Sequence, residues 1–416
     1  MPDVRATSAS HIAGMPNPYD VIVVGARCAG SPTAMLLARK GHRVLLVDKA
    51  TFPSDTLSTH LIHAPGMAAL ERWGLRQPLA ATGCPPITRY SFDFGPITIA
   101  GTPRPSGIVP EAYGPRRTVI DALLVDAAAR DGAEVREGFE VDKVIPGSDD
   151  GAALRGRAPG GRTVTERARV VIGADGRRSM VAKAVEPHQY NERPPLCSVY
   201  YAYWSGVPAE GFEVYIRERR AFGAWPTHDD LTLVVAGWPE DEFKANRGDI
   251  EGTFLRALDL EPAFAARVRG GTKETRFWGA GDLRGFFRTP YGPGWALVGD
   301  AGHHKHPITA MGMTDAFVDA ERMAGALDDW LSGRRSFDDA LGDYHRTRDE
   351  QALAMYDMTS ELAALAPPPP ELQTLLAATA GDEQATRDYV SVQAGTLPVP
   401  EFFDPDNVER ILARVG

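Results

Sequence analysis

Trp295-Ala-Leu-Val-Gly-Asp300-Ala-Gly-His-His-Lys-His-Pro307-Ile-Thr-Ala-Met-Gly312 is the stretch on which the reading of this chain turns. It opens with a short apolar run ending at Gly299-Asp300, the pattern of a strand buried in a parallel sheet. A loop follows, then a helix entered through Pro307 and Gly312. This layout puts a carboxylate at the carboxyl end of a strand and aims helix N-terminal amides at whatever lies above it.

Working outward, the N-terminal part holds a matching unit. Tyr19 to Val24 is a second apolar run, leading into Gly25-Ala-Arg27-Cys28-Ala-Gly30 and a helical pattern from Ser31 to Lys40. Gly41 stops that helix, Val44 to Val47 forms the next strand, and Asp48 stands at its end, roughly twenty positions beyond the first glycine. Strand, glycine loop, helix, strand and acid together define a dinucleotide-binding β-α-β unit, with Asp48 placed for a ribose hydroxyl and Lys49 beside it. The middle glycine of the fingerprint is replaced by Arg27, whose side chain must turn away from a pyrophosphate or be used on it.

Two further segments complete the set. Val170-Val-Ile-Gly173-Ala-Asp175-Gly176 is an apolar strand ending in an Asp-Gly turn before a helix start at Ser179, and Arg117-Thr-Val-Ile-Asp121-Ala-Leu-Leu124 reads as another helix start. These four motifs, in this order, resemble those of flavoprotein monooxygenases related to p-hydroxybenzoate hydroxylase. The resemblance covers residues 19 to 325 and fades towards the C-terminus. It implies that FAD is held by Gly25, Arg27, Gly30, Asp48, Lys49, Arg117, Asp175 and Asp300, with Pro307, Gly312 and Met313 against the flavin. Asp300 would hold the ribityl chain, and the helix start at Gly312 would stabilise negative charge near flavin N1 and O2. Asp48 stands where relatives often have Glu. Arg116 and Arg117 read equally well as solvated cations at a helix entry.

Composition agrees with a large folded enzyme. The 416 residues are 43% hydrophobic, enough for two or three domains. A net charge of −10 argues against nucleic-acid binding. Cys28, Cys84 and Cys197 are too scattered for a disulfide framework or a zinc site, and no apolar run reaches the length of a membrane span. The expectation is a reduced, cytoplasmic protein with no membrane partner, its first eighteen residues a flexible tail without the apolar core of a signal peptide.

The expected fold is α/β. An FAD-binding, Rossmann-like domain is built from residues 19–72, 108–184 and 276–345, interleaved with a β-sheet substrate domain from 73–107 and 185–275, and residues 346–416 add a helical C-terminal segment. Pro159-Gly160-Gly161 signals a hairpin turn, as does His228-Asp-Asp230. In the substrate layer, Val199, Tyr201 and Tyr203 alternate onto one strand face. Five of the seven tryptophans fall between residues 204 and 295, from sheet preference or because they line a pocket over the flavin. Trp225 and Pro226 are the candidates for its wall. His60 either donates to flavin or substrate or is structural; His303, His304 and His306 lack the spacing of a metal site, and His306, beside Pro307, is the candidate nearest the reactive edge. The tail either caps the pocket or braces the FAD domain.

The resemblance implies a monooxygenase of an electron-rich small molecule, aromatic or of secondary metabolism, working through a C4a-hydroperoxyflavin. His60, Trp225, His306 and Pro307 are the candidate catalytic residues. With no second dinucleotide fingerprint, NAD(P)H binds transiently or a separate flavin reductase supplies electrons. Three alternatives stand beside it. A reductase of polyprenyl double bonds has a signature partly matched by Phe222-x-x-Trp225-Pro226. A flavin-dependent halogenase lacks support from the W-x-W-x-I-P motif, which is missing. A non-enzymatic binding module on the same fold is opposed by Asp48, Asp175 and Asp300.

Overall fold

The computed structural model describes residues 18–147 and 151–414; the tail expected over residues 1–18 lies outside them except for Pro18. Tyr19–Val24 forms the centre of an eight-stranded sheet, with Thr163–Gly173 on one side and Val44–Val47 on the other. Trp295–Leu297 and Glu134–Arg136 extend it in parallel at the two flanks. Val21, Ile22 and Val23 are fully buried because both faces of the sheet are covered, one by helices and the other by the strands Glu140–Ile145 and Ala152–Arg157 with the short helix Met180–Val185. The register levels the strand ends: Val24 pairs with both Gly173 and Val47, and Gly173 pairs with Leu297. Gly25, Asp48, Ala174 and Val298 therefore leave the sheet at one edge. A ligand crevice forms at such an edge, outside the carboxyl ends of the strands.

Helix Gly30–Arg39 packs against helix Gly312–Leu331, whose Met313, Phe317, Ala320, Met323, Ala324 and Leu327 recur at helical spacing and are buried. The hairpin Ala152–Arg157 to Thr163 turns where Pro159-Gly160-Gly161 places it, with the Ala158 N–H donating to the Arg162 carbonyl at 2.9 Å.

The second large sheet is antiparallel apart from one pair. It runs Thr272–Lys273, Cys197–Ser205, Thr232–Pro239, Arg220–Pro226, Phe212–Arg217, Tyr90–Asp93 and Thr98–Gly101. Asp229 and Asp230 take left-handed backbone (φ 63° and 55°) in the hairpin between Arg220–Pro226 and Thr232–Pro239, a conformation Asp tolerates better than most residues. Trp278–Ala280 also pairs with Cys197–Ser205, so this sheet reaches past residue 275 into a segment the sequence reading put with the other domain.

The C-terminal chain is helical: Phe337–Ala363, capped by Ser336, then Pro370–Ala380, Glu383–Gln393 and Pro405–Leu412. Its apolar residues, including Leu375, Leu376, Tyr389, Val390 and Phe402, pack with Ile87, Tyr90, Phe92, Ile99 and Phe212. The segment after Pro367 therefore braces the second sheet, and none of its residues lines the large cavity described below.

Candidate active site

At the common strand edge the backbone is closed tightly around a crevice. Gly25 has φ +103°, and a Cβ there would lie 2.6 Å from the Ala174 carbonyl oxygen; a Cβ on Gly30 would lie 1.8 Å from the Gly25 carbonyl oxygen. Only glycine allows the strand-to-helix turn and the close approach of the helix. Asp48 is held rigidly, accepting the Ala26 N–H at 2.7 Å on Oδ2 and the Ala50 N–H at 2.8 Å on Oδ1. Asp175 accepts the Met180 N–H at 2.6 Å on Oδ2, whereas its buried Oδ1 has no partner among the described residues. Burial pushes the Asp175 carboxyl above the usual range, against the hydrogen bonds from Ser179 and Met180.

Asp300 sits in a single 3₁₀ turn, Gly299–Ala301. The sequence reading enters the next helix at Pro307, but the chain first makes a separate turn, Pro307–Thr309, and passes through Ala310 in left-handed conformation (φ 54°). The long helix begins at Gly312, where an added Cβ would meet nothing within 4 Å. A glycine facing open space at a helix N-terminus leaves the amides accessible to a ligand.

Arg27 does not point into solvent. It pairs with Asp121, donates from Nη2 to Ser54 Oγ at 2.9 Å, and lies over the Phe52 ring at 5.2 Å. Arg117 grips the same carboxylate, with Nη2 2.9 Å and Nε 3.1 Å from Asp121 Oδ1. Two guanidinium groups thus share one fully buried carboxylate, leaving a positive charge beside the glycine loop. Asp121 was visible in sequence only as part of a helix start; its spacing of four from Arg117 is the signal that could have revealed the pair. Cys28 packs against this group, and burial raises its thiol pKa to about 12 despite Arg117 nearby.

These elements open into one cavity of about 1560 Å³. Gly25, Arg27, Asp48, Lys49, Arg117, Asp175, Asp300, Pro307, Gly312 and Met313 all line it, and Gly30 lies behind them. The second sheet supplies an apolar wall of Val199, Tyr201, Leu233 and Val235. The volume exceeds the roughly 300–1,000 Å³ of a drug-sized ligand pocket, leaving room for a dinucleotide and a further small molecule.

Three candidate catalytic residues lie elsewhere. Trp225 is buried beside Phe212 (ring centroids 5.1 Å apart) and against Gly114, where it fills the core of the second sheet rather than the cavity wall. His60, at φ 58°, bonds to the Tyr203 hydroxyl behind Tyr201, and burial, with Arg117 and Arg116 adding to it, holds its pKa well below the ordinary imidazole value. His306 has both nitrogens committed: Nε2 donates to the Cys197 carbonyl at 2.8 Å and Nδ1 accepts the Ile308 N–H at 3.2 Å. Burial lowers its pKa to about 4, the Cys197 carbonyl acting in the opposite sense. In the strand His303–His304 and the extended residues after it, successive side chains turn to opposite faces. His303 and Lys305 turn to Asp319 and Asp315, His304 and His306 to the other side. His304, named in the sequence reading only as one of three clustered histidines, and Lys305, not singled out there, line the cavity together with the segment Asp55 to Thr59.

The FAD binding domain family matches residues 18–359, and the chain belongs to that family of flavoproteins. Among its relatives is the tryptophan 2-halogenase of Chondromyces crocatus, 25% identical over 80% of this chain and 65% of the halogenase, so the chain spans about two-thirds of that protein's length. A digeranylgeranylglycerophospholipid reductase of Methanopyrus kandleri is 28% identical over 74% of this chain and 80% of its own. The kynurenine 3-monooxygenase of Salinispora arenicola is 27% identical over 82% of this chain and 78% of its own. A flavoprotein/dehydrogenase structure from Cytophaga hutchinsonii superposes with a TM-score of 0.80 at 18% identity, covering 94% of this chain and 96% of that one, which establishes the shared fold. The protein is thus an FAD-dependent oxidoreductase by family, and its relatives divide among halogenases, reductases and monooxygenases.

Proposed function

We propose that this chain is an FAD-dependent monooxygenase acting on an electron-rich small molecule with a largely apolar body. The observation that carries the reading is the single cavity joining the dinucleotide crevice to the wall of Val199, Tyr201, Leu233 and Val235. The residues fit FAD. Asp48 is held in place for a ribose hydroxyl, Asp175 keeps an unpartnered oxygen, and Asp300 with the open amides at Gly312 faces the same space. Arg117 and Arg27, excess in charge over Asp121, suit a pyrophosphate. When bound and reduced, the flavin supplies the oxygen-activating chemistry. The chain's own task is then to orient the substrate against it, exclude water with the apolar wall, and stabilise negative charge at the helix start.

This division of labour matches the side chains available. All three cysteines are buried with thiols raised by desolvation, to about 12 for Cys28 and Cys84, which suits packing rather than nucleophilic attack. Of the residues behind the reductase alternative, Phe222 packs on Phe264 and Trp225 on Phe212, and neither lines the cavity. The test is turnover of candidate aromatics by the yellow holoenzyme with NAD(P)H under ¹⁸O₂. One labelled oxygen atom is expected in the product. Saturation or reduction of a substrate double bond without oxygen uptake would instead identify a reductase, and a strict halide requirement a halogenase.

A further inference from the structure

The mouth of the cavity carries a group of cations for which the proposed reaction has so far given no use. The Asp175-Gly176 turn runs on into Arg177 and Arg178, and Arg177 Nη1 donates to the Asp282 carbonyl at 2.9 Å. Glu240 closes the other side, its Oε1 accepting the Asp282 N–H at 2.9 Å. Phe243 packs onto Gly281, where an added Cβ would lie 2.6 Å from the ring, and Arg247 lies over Phe243 at 5.0 Å. Contacts through Asp282, Glu240 and Phe243 thus bring Arg177 and Arg247 to one opening, and Arg177, Arg178, Lys244 and Arg247 all line the cavity.

The charges there are unevenly matched. Asp282 pairs with Arg284 at 2.9 Å and Asp241 with Arg219 at 3.6 Å, while Glu240 accepts the Asp282 amide on Oε1 and keeps a buried Oε2 without a partner among the described residues. Arg178 and Lys244 have no hydrogen-bond or ion-pair partner among the described residues, and Arg247 lies over Phe243 and hydrogen-bonds to the Tyr200 side chain, with no carboxylate partner. Burial, and next the neighbouring Arg178, lower the pKa of Arg177, and the opposing charges of Asp282 and Asp300 do not cancel the effect. In a chain of net charge −10, four cations facing three acids at a cavity mouth, with Arg178 and Lys244 left without partners, are a local feature that draws anions towards it.

We propose that Arg178, Lys244 and Arg247, backed by Arg177, form a phosphate-recognition site at the cavity mouth that selects the electron donor carrying the additional phosphomonoester, the nicotinamide dinucleotide phosphate, over its unphosphorylated counterpart. The proposal rests on the flavoenzyme reading in that the donor must reach the cofactor through this opening. The extra phosphate brings up to two more negative charges, and guanidinium and ammonium groups are the side chains suited to it. The three named side chains are exposed, so they meet a transient ligand without the desolvation cost of a buried site.

The test uses redox-inert probes on the FAD-loaded protein, so it does not depend on turnover. Binding of adenosine 2′,5′-bisphosphate, adenosine 5′-monophosphate and inorganic phosphate is measured by calorimetry at low and high salt. The same titrations are run on Arg178→Ala and on the double variant Lys244→Ala/Arg247→Ala. The bisphosphate is expected to bind roughly tenfold more tightly than the monophosphate, to lose that advantage at high salt, and to weaken roughly tenfold in the double variant. The flavin absorbance spectrum should be unchanged in each variant, which shows that the cofactor site survives. Equal affinity for the two nucleotides, inorganic phosphate binding as tightly as the bisphosphate, or variants that bind like the parent would each overturn the site. A protein that binds the bisphosphate as expected but yields no labelled product would leave the phosphate site standing and sink the monooxygenase reading.

Discussion

Asp121 shows how much one residue organises. Arg27 and Arg117 come from different parts of the chain, yet both guanidinium groups converge on this carboxylate, which has no solvent exposure. Removing one partner from a buried ion network leaves an uncompensated charge, at a cost of about 3–5 kcal/mol. Asp121→Asn is therefore expected to destabilise the protein by that amount and to loosen FAD, because the glycine loop and the helix at Arg117 lose their common tether. Arg27→Ala should cost less, since Arg117 still neutralises the carboxylate. Urea unfolding of the three proteins checks the order; equal stability of Asp121→Asn and parent would show that the triad contributes nothing. The fingerprint position that normally holds glycine thus holds an arginine turned across the loop, a solution that depends on a residue 94 positions away.

At the scale of elements, the sheets decide which side chains reach the cavity. The cross-strand row Tyr203, Leu233, Trp225 shares a face with the row Tyr201, Val235, Gly223, but only Tyr201, Leu233 and Val235 among these line the cavity. Trp225 lies beyond it, packed on Phe212 and Gly114. Trp225→Phe should leave FAD content and the KM for substrate unchanged while lowering stability on the order of 1–2 kcal/mol from lost packing. Steady-state kinetics beside thermal unfolding separate the two roles, and a large rise in KM at unchanged stability would return Trp225 to the pocket wall. His306 was misplaced for a related reason. Its neighbour Pro307 does line the cavity, but the imidazole of His306 caps the Pro307–Thr309 turn and is held by the Cys197 carbonyl instead.

Across the whole molecule, helix Phe337–Ala363 ties the peripheral layers to the loop bearing Asp300. Arg348 is almost fully buried and donates from Nη2 to the Arg288 carbonyl at 3.0 Å and to Asp349 Oδ1 at 2.6 Å, with Nη1 3.4 Å from the Gly302 carbonyl. Burial alone would raise the Asp349 pKa, but hydrogen bonds and charge from His345, Arg348 and Tyr190 outweigh it and draw it from 3.8 down to about 2. A carboxyl lowered on folding contributes stability above its unfolded pKa and loses it as pH falls through the folded one, so this contribution fades between pH 3.8 and about 2. Asp349→Asn should accordingly be less stable than the parent at pH 6, with the gap closing across that acid window. Urea titrations at pH 6, 4 and 3 measure it, and a gap independent of pH would show that the effect is packing alone. Among the described residues no helix is long and apolar enough to cross a membrane, and the covering of the second sheet by the C-terminal helices takes up its apolar face instead.

What the sequence determined by itself is local and periodic. The branched runs at Tyr19–Val24 and Val170–Gly173, the glycines at 25 and 30, and the acids ending each strand are readable because parallel strands and tight turns restrict residue type within a few positions. The pairing Arg117–Asp121 was equally within reach, being one helical turn apart. The rest is relational. That Arg27 reaches Asp121, that the mouth unites Arg177 with Asp282 and Phe243, and that Trp225 packs on Phe212 and Gly114 all depend on segments brought together from distant parts of the chain. Which of His303 and His304 meets the cavity depends on strand register, since a shift of one residue exchanges the two faces, and His306 is withdrawn from it by the distant Cys197 carbonyl. Only the assembled sheets set that register, because backbone pairing and burial of both layers must be satisfied together.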